Sequence, residues 1–131
     1  MNQANYHRAE VPALLHLVEA WRKLAGQQTE AIERSDWQDL LRLSGEKEKL
    51  KGLMDAAIAA SDFNQRGNRP PELRRAADEL VRMEQFNQQL LSERSRQTQD
   101  ELGRSRTKVQ RLRMIRNAYR RSRQTRWHSY L

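Results

Sequence analysis

The sequence predicts an all-α protein, in which an antiparallel helical hairpin is followed by a long third helix in a bundle or coiled-coil-like arrangement. Three observations predict this fold class. Apolar residues recur at steps of three and four along most of the chain, as they do on one face of an amphipathic helix. Charged residues make up 32% of the 131 residues, which is typical of long solvated helices. The helix-breaking residues Gly and Pro number only 5 and 3.

Length and composition predict one domain. A chain of this length with 37% hydrophobic residues can bury one modest core, so we expect a single all-helical domain over residues 1–131. No apolar run approaches the ~18 residues of a membrane span, and the polar start does not predict a signal peptide. The lack of cysteine is consistent with a reducing compartment. We therefore expect a cytoplasmic protein without membrane insertion.

The first two helices are predicted over residues 12–33 and 36–60. Ser35 and Asp36 interrupt the pattern so briefly that the two helices are expected to form an antiparallel hairpin. Ser35, with Gln38 three positions later, is typical of a capping box at the start of the second helix. The predicted inner faces consist of Leu14, Leu17, Val18, Trp21, Leu24, Ala25 and Ile32 in the first helix and Trp37, Leu40, Leu43, Leu50, Met54 and Ala57 in the second.

A loop over residues 61–70 and a third helix over residues 71–126 complete the predicted fold. The loop segment is polar, contains Gly and Pro, and has no apolar period. The apolar face of the third helix thins between residues 92 and 101, where small polar residues such as Ser95 and Thr98 take the seam positions. A glycine inside a helix costs roughly 1 kcal/mol relative to alanine, so a kink is predicted near Gly103.

The length of the third helix leaves two arrangements open. At 1.5 Å per residue it would extend about 80 Å, whereas the hairpin helices would extend roughly 30 to 40 Å. Its C-terminal half either projects from the hairpin or folds back near Gly103 into a four-helix bundle. We favour projection, because ten basic residues without an acidic one would be repelled by the Arg-bearing body.

Charge is distributed unevenly and indicates where a partner binds. After Glu101 the chain has ten basic residues and no acidic one, whereas the preceding part has 15 basic and 17 acidic residues. The basic residues alternate with an apolar stripe, a pattern typical of a helix that packs on a partner and attracts it by charge. The predicted partner-binding residues are Leu102, Val109, Leu112, Ile115, Tyr119, Arg106, Arg113, Arg116 and Arg120.

No catalytic, metal or cofactor site is predicted. His7 and His16 are out of phase on any helix, so the histidine spacing does not match a metal site. The sequence has no nucleophile elbow and no Gly-rich phosphate loop. The block Glu46-Lys47-Glu48-Lys49 is interpreted as solvated ion pairs on a helix surface. These observations do not favour an enzyme.

Several segments carry a resemblance to a known family. IERSDWQDLL at residues 32–41 leads into EKEKL at 46–50, and NQQLL occupies residues 87–91. This arrangement resembles the flagellar export chaperones of the FlgN type, and is also similar to the FliT type. The resemblance implies an all-helical cytosolic protein that binds hook-filament junction proteins, keeps them unpolymerised and delivers them to the type III export machinery. The density of arginine after Gly103 exceeds what the family pattern implies.

Two other functions remain open from the sequence. The Arg-rich C-terminal segment favours nucleic-acid binding, although its aliphatic stripe is unlike a basic-region helix, which is polar all round. A coiled-coil adaptor is the second alternative, and it would form a defined multimer such as a homodimer. Salt dependence distinguishes the first of these from a protein client, since binding to nucleic acid weakens steeply with ionic strength.

Overall fold

Four α-helices make up the described part of the fold. The computed structural model describes the backbone of residues 3–60, 70–102 and 106–123, and the side chains of residues 11–60, 70–100 and 110–122. Within these residues there is no β-strand. The helices are α1 (Gln3–Glu33), α2 (Trp37–Ala59), α3 (Pro71–Leu102) and α4 (Arg106–Arg123). The predicted all-α helical-bundle class is confirmed.

The helices alternate in direction. In the α1–α3 pair, Leu14 lies in the same cluster as Leu73, and Ile32 lies in the same cluster as Leu91, so these two helices run parallel. α4 runs parallel to α2, because Ile115 packs in the cluster of Leu43 while Lys51 Nζ reaches the Arg121 carbonyl at 3.5 Å. α1 and α4 each pack against α2 and α3, so α2 and α3 face each other across the bundle axis.

Two apolar clusters form the core. The first lies towards the end of the bundle where α2 ends and α3 begins. It contains Leu14, Val18, Trp21, Ala25, Leu50, Met54, Ile58, Leu73, Ala77 and Leu80. The second lies towards the α1–α2 turn and contains Ala31, Ile32, Leu40, Leu43, Leu91, Ile115 and Tyr119. These clusters confirm most of the predicted inner faces of the hairpin, including the core position of Trp21.

The prediction that the C-terminal half of the third helix projects from the hairpin, which was based on charge, is wrong. Leu112, Ile115 and Tyr119 of α4 are all buried, and α4 packs mainly against α2. Repulsion does not prevent this packing, because the described arginines of α4 are directed to the protein surface: Arg111, Arg113, Arg120 and Arg121 are exposed and Arg116 is half-buried. The single helix predicted over 71–126 is correspondingly two helices. The predicted kink at Gly103 lies outside the described residues.

The turn between α1 and α2 differs from the predicted capping box. Asp36, rather than Ser35, is the N-cap of α2, and its carboxylate accepts a hydrogen bond from the Asp39 N–H at 3.1 Å. Ser35 has a positive φ of 54°. The Ser35 N–H donates to the Ile32 carbonyl and the Asp36 N–H to the Ala31 carbonyl, which is the Schellman pattern that ends a helix. Ser35 therefore ends α1 instead of starting α2.

The start of α1 also differs from the prediction. The helix begins at Gln3 and includes Pro12, whereas the sequence indicated a start at residue 12. Side chains before residue 11 lie outside the described part.

Candidate functional site

The predicted binding residues separate into two groups in the structure. The apolar members Leu112, Ile115 and Tyr119 are buried in the protein's own core, so they are not an exposed docking stripe. The basic members Arg113 and Arg120 are exposed and Arg116 is half-buried, on the outer side of α4. The side chains of Leu102, Arg106 and Val109 lie outside the described residues. The described part of α4 therefore offers its arginines, but not Leu112, Ile115 or Tyr119, to the surface.

A buried polar cluster lies in the centre of the bundle. It consists of Trp21, Gln28, Lys47, Glu84 and Tyr119, with at least one residue from each helix. Lys47 Nζ donates to Glu84 Oε1 at 2.6 Å and to Gln28 Oε1 at 2.8 Å. Trp21 Nε1 donates to Glu84 Oε1 and the Tyr119 hydroxyl donates to Glu84 Oε2, each at 3.1 Å. Both carboxylate oxygens of Glu84 thus accept hydrogen bonds.

Two aromatic rings flank the ammonium group of this cluster. Lys47 Nζ lies 4.9 Å from the ring centre of Trp21 and 5.2 Å from that of Tyr119, which are cation–π distances. Trp21 belongs to α1 and Tyr119 to α4, so the two rings contact the same ammonium from opposite sides of the bundle axis. The arrangement ties all four helices to one ion pair. The cluster therefore contributes to how the four helices pack together.

Neighbouring side chains extend the polar layer. Gln28 Nε2 donates to Ser44 Oγ at 3.2 Å, and Ser44 in turn donates to the Leu40 carbonyl at 2.8 Å. Asn87 Nδ2 donates to the Ala25 carbonyl at 3.0 Å, while the Thr29 hydroxyl donates to Asn87 Oδ1 at 2.5 Å. These partners offset the cost of burying the amides and hydroxyls.

The interpretation of residues 46–49 as solvated ion pairs is wrong for Lys47. Its side chain is fully buried, whereas Glu46, Glu48 and Lys49 are exposed as predicted. A signal was present in the sequence, because Lys47 follows Leu43 by four positions and precedes Leu50 by three, on the inner face of α2. The surrounding charges obscured it.

An open groove lies between α2 and α4 on the surface. One part, of about 340 Å³, is lined by Leu41, Ser44, Gly45, Glu48, Ala118 and Arg121. A second part, of about 490 Å³, shares Leu41, Ala118 and Arg121 with the first and adds Met114, Asn117 and Arg120. We call these residues together the α2/α4 groove. Leu41 is 44% exposed and Met114 is 68% exposed, so the groove presents apolar surface to solvent.

The charges around the groove differ between its two walls. α4 contains no acidic residue, and Arg120 and Arg121 line its side of the groove. On the α2 side, Glu48 lies 3.9 Å from Lys51, and Arg42 pairs with Asp39 and Glu46. The hydrogen bond to Asp39 is the main cause that raises the pKa of Arg42. Asp39, Glu46 and Glu48 of α2 thus have basic partners, whereas α4 has no acidic residue that could pair with its groove arginines.

Other kinds of site find no support in the described part of the molecule. Its His, Asp and Glu side chains form no group of three or more that could hold a metal ion. None of its helices is long and apolar enough to cross a membrane.

Comparison with known proteins gives no relative. No protein-family model, curated protein or solved structure matches this chain.

Proposed function

We propose that the protein is a non-enzymatic chaperone of the flagellar type III export pathway, which binds hook-filament junction proteins in the cytosol and keeps them unpolymerised for export. The single observation that carries this proposal is the open α2/α4 groove, with Leu41 and Met114 exposed beside arginines that have no acidic neighbour on α4. Exposed apolar surface bordered by charge is typical of a protein-binding site. The resemblance to FlgN-type and FliT-type chaperones supplies the class of client.

The chemistry of the surface suits a client that must later be released. A shallow groove buries less surface than an obligate interface, and transient interfaces occupy the small end of the size range. Arginines at the rim raise the rate at which an acidic client associates more than they slow its dissociation. A client held in this way is protected while bound and is still available to the export machinery.

The direct test is binding to purified hook-filament junction proteins from the same organism. We expect a one-to-one complex in isothermal titration calorimetry, and we expect the complex to prevent polymerisation of the client in a light-scattering assay. If none of the junction proteins binds, the proposal is contradicted. A homodimer without client binding, seen by sedimentation, would instead favour a coiled-coil adaptor.

Nucleic-acid binding is the second candidate, and the exposed arginines of α4 favour it. Binding that uses several phosphate contacts loses about 10³-fold or more in affinity between 50 and 200 mM salt. The apolar contacts of a protein client depend much less on salt. A titration of duplex DNA and of single-stranded RNA at these two salt concentrations therefore separates the two functions.

A further inference from the structure

We propose that the α2/α4 groove binds one amphipathic helix of the client, with an apolar side chain seated over Gly45 and an acidic flank facing Arg120 and Arg121. This inference deepens the proposed function, on which it rests, by naming the surface and the chemistry of the bound segment. It is carried by the shape of the groove, by the space above Gly45 and by the charge of the α4 wall.

The walls of the groove have the spacing of helix packing. Leu41, Gly45 and Glu48 on α2 follow one another at steps of four and three, and so do Met114, Ala118 and Arg121 on α4. Each set spans two turns, or roughly 10 Å along its helix. Two parallel helices with matched ridges leave a channel that a third helix fills with its own residues at the same steps.

Gly45 provides the depth in the middle of this channel. A Cβ atom placed on Gly45 would meet nothing within 4 Å, so no group of the described protein fills the space above it. Ala118, on the opposite wall, is also small. Leu41 and Met114, which are large and exposed, stand at one end. A bulky apolar side chain of a partner would contact all of these residues while filling the space over the glycine.

The charges of the groove determine the sign of the charge that the bound helix must carry. Arg120 and Arg121 are exposed on the α4 wall, and no acidic residue of α4 neutralises them. A helix with Asp or Glu along one flank would pair with these arginines. Its other flank would meet Glu48 on the α2 wall, which is paired with Lys51, so the α4 wall attracts acidic residues more strongly and the charge pattern also fixes which way the helix faces.

The same charges argue against two other occupants. A second copy that docked through its own α4 would place arginines against arginines. The segment 124–131 of this chain contains no acidic residue, so it cannot supply the acidic flank.

The test uses a synthetic amphipathic helix of about 20 residues, long enough to be partly helical in water. It carries leucines at steps of three and four and glutamates along one flank. A matched peptide keeps the same leucines but carries lysines where the first peptide has glutamates. Fluorescence anisotropy against the full chain is expected to show binding of the acidic peptide, and binding at least about tenfold weaker for the basic one. Equal binding of the two peptides would overturn the inference.

Two variants of the groove locate the site. Gly45→Leu fills the channel, and the double variant R120E/R121E reverses the charge of its α4 wall. Each is expected to weaken binding of the acidic peptide by about tenfold or more. The matched controls are Phe86→Leu and R74E/R75E, at exposed positions of α3, which are expected to leave binding within about twofold. Thermal melting confirms that each variant is folded. Unchanged binding by both groove variants would overturn the inference.

The same variants separate this inference from the proposed function. If a junction protein binds and both groove variants bind it as well as the wild type does, the groove is not the binding site and the chaperone function stands. If the acidic peptide binds in the groove but no junction protein binds, the inferred surface stands and the client class is wrong. A wild-type dimer that Gly45→Leu dissociates would overturn the inference in favour of a second copy.

Discussion

Lys47 Nζ lies 2.6 Å from Glu84 Oε1, and this contact joins α2 to α3 across the axis of the bundle. The side chain of Lys47 is fully buried and that of Glu84 is 11% exposed. Burying an ion pair is costly unless other hydrogen bonds satisfy both groups. Gln28, Trp21 and Tyr119 provide those bonds, so each helix contributes to the same polar centre.

Removal of Lys47 alone is expected to destabilise the protein strongly. In Lys47→Met the Glu84 carboxylate stays buried without its cation, and breaking a buried pair in this way costs about 3–5 kcal/mol. Urea denaturation measures the change in the free energy of unfolding. The control is Lys49→Met at an exposed position of the same helix, for which a change within about 0.5 kcal/mol is expected. The double variant K47M/E84L should recover part of the loss, and a double variant as unstable as the sum of its single variants would contradict the coupling.

Truncation of Tyr119 tests whether α4 belongs to the bundle. Tyr119→Phe removes the hydroxyl that donates to Glu84 Oε2 and is expected to cost about 1–3 kcal/mol, because a buried acceptor loses a partner. Tyr119→Ala also leaves a cavity and is expected to cost about 3–5 kcal/mol. Met114→Ala, at an exposed position of α4, serves as the control. If α4 projected from the body, both Tyr119 variants would unfold at the same urea concentration as the wild type.

Gly45→Ala tests whether the space above Gly45 is empty in the folded protein. Gly45→Ala adds a methyl group in open space and improves helix propensity, so the free energy of unfolding should rise by up to about 1 kcal/mol. Gly26→Ala in α1 is the matched control, because a Cβ there also meets nothing within 4 Å. Both variants should be more stable by thermal melting. A loss of stability in Gly45→Ala would show that the space above this residue is filled in the folded protein.

The cap of α2 is a smaller, local test. Asp36→Ala removes the carboxylate that accepts from the Asp39 N–H and is expected to cost about 1 kcal/mol. Ser35→Ala is the comparison, because the capping box predicted from the sequence would give the larger effect to Ser35. A loss of stability in Ser35→Ala without a loss in Asp36→Ala would contradict the turn described above.

The hairpin could be predicted because its signals are local. The apolar faces of α1 and α2 and the short interruption at Ser35 and Asp36 determine two helices and their antiparallel packing. The position of α4 depends instead on how opposing effects balance. Its arginines argued for projection, but their exposure to solvent lets Ile115 and Tyr119 pack without bringing like charges together.

The site was harder to predict than the fold. Arg113 and Arg120 were predicted as partner-binding residues, and both are exposed on α4. The groove depends on which helix lies beside α2, and no local pattern gives that pairing. Lys47 was missed because charged neighbours surround it in sequence, although its helical position is an inner one. Ser95, which was predicted as a small polar residue of the seam, is buried, and its hydroxyl donates to the Ser92 carbonyl at 3.1 Å. A small polar residue can therefore take a buried seam position in place of an aliphatic one.

The most direct test of a client in the α2/α4 groove is the methyl NMR spectrum of the protein labelled at its methionines. Met114 lies in the groove, whereas Met54 is buried in the first core cluster and serves as an internal control. On titration with a junction protein, we expect the Met114 methyl resonance to shift while the Met54 resonance stays in place. A saturated complex in which the Met114 resonance does not move would contradict the account.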